Sequence, residues 1–265
     1  MEKVRHPAVA GRFYPGSPHE LDSQVRSFLV EAATHMPPQT VAPKAVIAPH
    51  AGYVYSGPIA ATAYVRLAID RSMISRVVLL GPSHRVRFHG LAAPSATIFE
   101  TPLGNVRIDT EAIASVGHLP QVGVLDEAHS GEHSLEVHLP FLQIALGDIA
   151  VAPFAVGDAT SDEVAEVLDL LWGGDETRIV VSSDLSHYHD FETAKELDAD
   201  TSRAIELLRP DLISSDRACG RTPIAGLLTV AKRRGLTVRT VDLRNSGETA
   251  GPRDQVVGYG AYVVA

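Results

Sequence analysis

Three segments of the chain deliver a histidine shortly after a run of aliphatic residues. Residues 44–49 (KAVIAP) lead to His50, residues 76–80 (RVVLL) to His84, and residues 178–181 (RIVV) to Asp184 and His187. Neutral imidazole is the commonest protein ligand for a metal, and it is the side chain that moves protons near neutral pH. A single histidine at such a point is ordinarily a turn residue. Three at equivalent points imply a shared site if the runs are neighbouring parallel strands. His50 and His84 are then expected to be metal ligands and His187 a ligand or general base. Asp184, three residues earlier, is placed to orient His187. Cys219 lies in residues 218–224 (ACGRTPI), just before a helix start. The helix dipole and Arg221 would favour its thiolate, the form that binds metal or attacks an electrophile. Two imidazoles and a thiolate suit zinc, iron or copper.

Residues 129–138 (HSGEHSLEVH) hold three more histidines. The segment lacks H-E-x-x-H, and Val137 breaks the inverted zinc-protease pattern. His133 and Glu136, three apart, are expected to share a helix face and to line the pocket with Tyr53. His6, His19, His35, His89 and His118 carry no partner pattern and read as surface residues. No G-x-G-x-x-G follows a strand, and neither a Walker A sequence nor G-x-S-x-G occurs.

The elements that must position these residues alternate along the chain. Further apolar runs at 149–156, 236–243 and 255–264 read as strands buried on both faces. Ser17 and Glu20 around Pro18 read as a capping box opening a helix, and Thr160 with Glu163 as a second. A third helix runs from Phe191 to Leu208. A fourth starts at Thr222-Pro223 and is closed by Gly235. Residues 100–109 (ETPLGNVRID) read as an inserted hairpin, and residues 36–43 as a loop. This alternation predicts a three-layer α/β/α sandwich around a parallel or mixed sheet, as a single domain over residues 1–265.

Composition narrows the classes. The chain has 265 residues with 45% hydrophobic content, so it can bury a core and is not disordered. Its 23 Lys+Arg against 32 Asp+Glu give a net charge of −9, against nucleic-acid binding. One cysteine excludes an internal disulfide and fits a reducing compartment. The N-terminus has no apolar stretch of the secretory kind, and the most apolar region, 139–157, is interrupted by Pro140, Asp148 and Pro153. A cytoplasmic protein without membrane association is expected.

Six motifs in order resemble the Memo family, whose prokaryotic members are described as protein B of the AmmeMemoRadiSam system. They are residues 7–15 (PAVAGRFYP), 49–57 (PHAGYVYSG), 80–84 (LGPSH), 132–141 (EHSLEVHLPF), 182–188 (SSDLSHY) and 219–224 (CGRTPI). The resemblance implies a fold similar to class III extradiol dioxygenases. It also implies a metal site at His50, His84 and Cys219, with Asp184 and His187 beside it. Iron is the first expectation, with copper or zinc as alternatives, and radical-SAM partners are suggested by the system name. The dioxygenases use two histidines and a carboxylate. Here Cys219 takes the third position, so aromatic ring cleavage is not carried over. Thr222 stands where some members have His, and His138 where many bacterial members have Gln. The leading expectation is therefore a metal-dependent redox protein acting on a small-molecule substrate or peptide. A non-enzymatic binding module and a Cys219–His187–Asp184 hydrolase are the alternatives.

Overall fold

The computed structural model describes residues 3–37 and 41–265. Residues 38–40, within the expected loop at 36–43, lie outside the described residues. The strands are β1 Val4–Arg5, β2 Ala45–Ala48, β3 Arg76–Pro82, β4 Leu91–Ala93, β5 Ile98–Thr101, β6 Gly104–Ile108, β7 Val122–Val124, β8 Ala150–Val156, β9 Thr177–Ser182, β10 His187–His189, β11 Val238–Asn245 and β12 Val256–Val264. The helices are α1 Pro18–Thr34, α2 Tyr53–Leu67, α3 Thr110–Val116, α4 Glu127–Ser130, α5 Leu139–Leu146, α6 Ser161–Leu170, α7 Phe191–Glu206 and α8 Arg221–Arg233.

The sheet runs β1-β5-β6-β8-β3-β9-β2-β12-β10. Its centre, β8-β3-β9-β2, is parallel, whereas β12 lies antiparallel to β2 and is joined by antiparallel β11 and β10. The mixed sheet and its covering helices form the expected three-layer α/β/α sandwich. Helices α1, α2 and α5 pack together, as do α3, α6 and α8, while α7 lies against β11 and β12. Each central strand is an aliphatic run buried on both sides, since helices remove both faces from water. Register brings the strand ends level: Ala48 pairs with Ser182, and Leu80 with Val181. The residues following β2, β3 and β9 therefore leave one edge of the sheet together, the usual place for a ligand crevice in open α/β sheets.

Local signals were legible to different degrees. Thr160 and Glu163 form both arms of a capping box. Ser17 occupies the N-cap of α1 ahead of Pro18, but its side chain makes no capping hydrogen bond. Helix α8 starts at Arg221, one residue earlier than expected, and Gly235 closes it at φ +67. The hairpin forms from β5 and β6, with Gly104 at φ +116, where a side chain would be strained. His133 and Glu136 do not share a helix face: residues 136–138 make one 3₁₀ turn ahead of α5.

Candidate metal centre

His50 follows β2 by two residues, and Gly52 caps α2 immediately afterwards, so the chain turns sharply with the imidazole inside the crevice. His84 follows β3 in the same way. Their ring centroids lie 5.2 Å apart, and His133 stands 5.4 Å from His50 and 4.8 Å from His84. One donor atom from each of the three lies within 4.8 Å of the others. His50 is buried, whereas the side chains of His84 and His133 are 31% and 17% exposed, so the cluster opens to solvent on one side.

Glu132 holds two of these residues in place. Its Oε2 accepts the His84 backbone N–H at 2.6 Å. Its Oε1 accepts His84 Nδ1–H at 2.9 Å and the backbone N–H groups of His133 and Ser134 at 2.9 and 3.0 Å. Burial alone would raise this carboxyl, but the contacts of His133 and His84 and the Ser134 N–H together hold it well below the usual carboxylate range. An ionised carboxylate only accepts, so His84 places a proton on Nδ1, and in the neutral ring the lone pair is on Nε2. This is the carboxylate–histidine arrangement that orients metal ligands. His133 Nδ1 lies 3.2 Å from Glu132 Oε1 without the geometry of a hydrogen bond, leaving that buried nitrogen unpartnered.

Cys219 reaches the cluster from the start of α8. Its Sγ lies 3.4 Å from His50 Nε2 and accepts the Asp184 N–H at 3.2 Å. The expected thiolate does not follow from this setting. Burial first, and then the Asp184 charge, push the thiol up to about 12, while Arg221 points into solvent. Asp184 does not orient His187 either. Its Oδ1 accepts the His50 backbone N–H at 2.7 Å, and burial raises its carboxyl. His187 is instead held by its Nδ1–H to the Leu185 carbonyl at 2.8 Å, which leaves Nε2 as the acceptor. No hydrogen bond joins Cys219 to His187 among the described residues, so the geometry of a hydrolytic triad is not assembled.

Asp184, His187 and His133 line a cavity of about 340 Å³, rimmed by Phe13, Tyr55 and Tyr188. Tyr53 and Glu136, expected in its wall, are buried elsewhere. Tyr53 donates its hydroxyl to the Val137 carbonyl at 2.6 Å, against Tyr14 and Phe141. Glu136 pairs with Arg5 and accepts the N–H groups of Ala8 and Val9 and the Tyr14 hydroxyl, pinning the N-terminal segment. His6, His19, His35, His89 and His118 are exposed, as expected. Sequence reasoning placed His133 in the pocket but not among the ligand atoms. It missed Glu132, whose adjacency to His133 was the available signal.

Three imidazoles and a sulfur are donors for iron, copper or zinc and poor ones for magnesium or calcium, so the residues present fit a transition metal. The fold and this cluster define an α/β/α protein with a three-histidine site that could hold a metal ion. A family model described as Memo-like protein matches residues 5–263. The chain is 37% identical to a MEMO1 family protein of Aeropyrum pernix over 282 residues, covering 98% of this chain and 99% of the relative. MEMO1 family proteins of Aquifex aeolicus and Thermoplasma volcanium are 36% and 35% identical, covering 97% and 98% of both chains respectively. This chain belongs to the Memo family. Among the described residues, no helix is long and apolar enough to cross a membrane.

Proposed function

We propose that this protein is a metal-dependent redox protein, with iron as the first choice of ion and copper as the second. The observation that supports it best is the convergence of His50, His84 and His133 with the Cys219 sulfur 3.4 Å from His50 Nε2. His50, His84 and Cys219 would hold the ion, with His133 as a further donor on the open side. A bound iron or copper ion would supply a redox centre and a Lewis-acidic position for a substrate oxygen, nitrogen or sulfur.

The chain's own residues would do the rest. Glu132 orients His84, and the Asp184 carboxylate holds the His50 backbone in its turn. His187 Nε2, free to accept, takes a proton from a small-molecule or peptide substrate seated in the 340 Å³ cavity. Phe13 and Tyr55 form an aromatic wall of the same cavity, against which an apolar part of the substrate can pack.

The test is oxygen consumption by tag-free protein loaded anaerobically with ferrous iron, offered thiols, catechols and cuprous ion. Turnover lost on His187→Gln but with metal retained is expected. Stoichiometric metal with no consumption and no oxidation of any substrate would refute the redox role and leave a ligand-binding module.

A further inference from the structure

Behind His50 runs a buried chain of hydroxyls and imidazoles that no surface residue interrupts. His50 Nδ1 lies 2.6 Å from Ser182 Oγ, and His138 Nε2 lies 2.8 Å from the same oxygen. Ser182 Oγ is also 2.6 Å from the Ser134 carbonyl, and the Tyr64 hydroxyl is 2.8 Å from His138 Nδ1. Tyr64, His138, Ser182 and Ser134 are all buried.

Counting protons leaves one solution. A carbonyl only accepts, so the single Ser182 hydroxyl proton goes to Ser134. Both remaining lone pairs of Ser182 must then receive N–H groups, from His138 Nε2 and from His50 Nδ1. At the far end the buried Tyr64 hydroxyl has His138 Nδ1 as its partner and donates to it, which again places the His138 proton on Nε2. The Ser134 side chain is fixed in turn by donating to the Pro82 carbonyl at 2.7 Å.

We propose that Ser182 and His138, backed by Tyr64, are positioning residues that lock His50 in the Nδ1–H tautomer and so keep its Nε2 lone pair facing Cys219 in the crevice. His84 reaches the same tautomer through a carboxylate, and His50 reaches it through a neutral serine. The functional consequence rests on the metal reading above, but the tautomer itself does not.

Long-range ¹H–¹⁵N spectra of metal-free protein labelled in histidine separate protonated from bare ring nitrogens. The wild type is expected to show His50 protonated on Nδ1 and bare on Nε2, with His138 the reverse. Ser182→Ala should mix the His50 tautomers and weaken cobalt(II) binding roughly 10–100-fold, the usual effect of removing an outer-shell partner. His138→Gln can still donate to Ser182 and accept from Tyr64, so it should preserve both readouts. His138→Leu should admit the second tautomer, which keeps a test available if Ser182→Ala does not fold. A wild-type His50 protonated on Nε2, or a tautomer unchanged in both Ser182→Ala and His138→Leu, would overturn the proposal. Failure of the wild type to bind cobalt would instead refute the metal reading, leaving the tautomer result standing.

Discussion

Replacing Glu132 with Gln tests the support of the site while removing none of its donor atoms. The Glu132 carboxylate receives four hydrogen bonds of 2.6 to 3.0 Å, three on Oε1 and one on Oε2. Glutamine has one oxygen. Its best orientation keeps the three bonds on that oxygen and turns the NH₂ group against the His84 backbone N–H, two donors face to face. One charge-assisted bond is lost, and the other three weaken with the charge. At roughly 1.5–3 kcal/mol for a bond to a charged group, the expected destabilisation is about 2–4 kcal/mol. With a neutral amide in place of the carboxylate, His84 keeps its Nδ1–H bond but loses the charge that raises its basicity. It should therefore also bind metal more weakly, by roughly 10-fold, the low end for an altered outer-shell partner. Urea denaturation of the metal-free protein reads the first effect, and cobalt(II) titration the second. Glu136→Gln is the control. It breaks the contact set of Arg5, Ala8, Val9 and Tyr14 without touching an imidazole, so it should cost stability and spare metal affinity. Equal metal affinity in Glu132→Gln and wild type, or equal losses in the two variants, would refute the role given to Glu132.

Metal binding should release the Cys219 proton, because the free thiol is pushed up to about 12. Affinity should therefore rise about tenfold per pH unit through the alkaline range and become nearly flat in Cys219→Ser, as read by competition titration. His129 and His138 are lowered to about 4 and about 3 by burial, and His50 is lowered in the same sense. The native state then holds fewer protons than the unfolded chain below about 6.5, so stability falls as pH falls, by about 1.4 kcal/mol per unit for each histidine. Asp184 and Asp198, raised by burial, act in the opposite sense and soften the slope. Urea midpoints that stay level or rise between about pH 7 and pH 5 would contradict this balance. Thr160→Ala removes one arm of the α6 capping box and should cost about 1 kcal/mol in the same assay while leaving metal binding unchanged.

Strand-borne residues were the legible part of the site. A continuous aliphatic run fixes where a central strand lies, so His50, His84 and Asp184 could be placed at one sheet edge from spacing alone. The sheet register then sets them side by side. The segment carrying Glu132, His133 and His138 has no such period. It passes from α4 through a 3₁₀ turn into α5, and its side chains are aimed by tertiary contacts. Glu136 was misjudged because its partner, Arg5, is 131 residues away and nothing local announces it. Tyr53 was misjudged because α2 begins at that residue. The helix turns position 53 inward and leaves Tyr55, two residues on, at the cavity rim. A helix start and a nearby arginine favour the Cys219 thiolate locally, but burial and Asp184, brought in by the tertiary fold, outweigh them.

Metal content of tag-free protein, measured by plasma mass spectrometry after loading with ferrous iron and desalting, bears most directly on the three-histidine site. One ion per chain in the wild type, lost in both His50→Ala and His84→Ala while each variant keeps a cooperative unfolding transition, is the predicted result. Absence of bound metal in the wild type, or full occupancy in either variant, would contradict it.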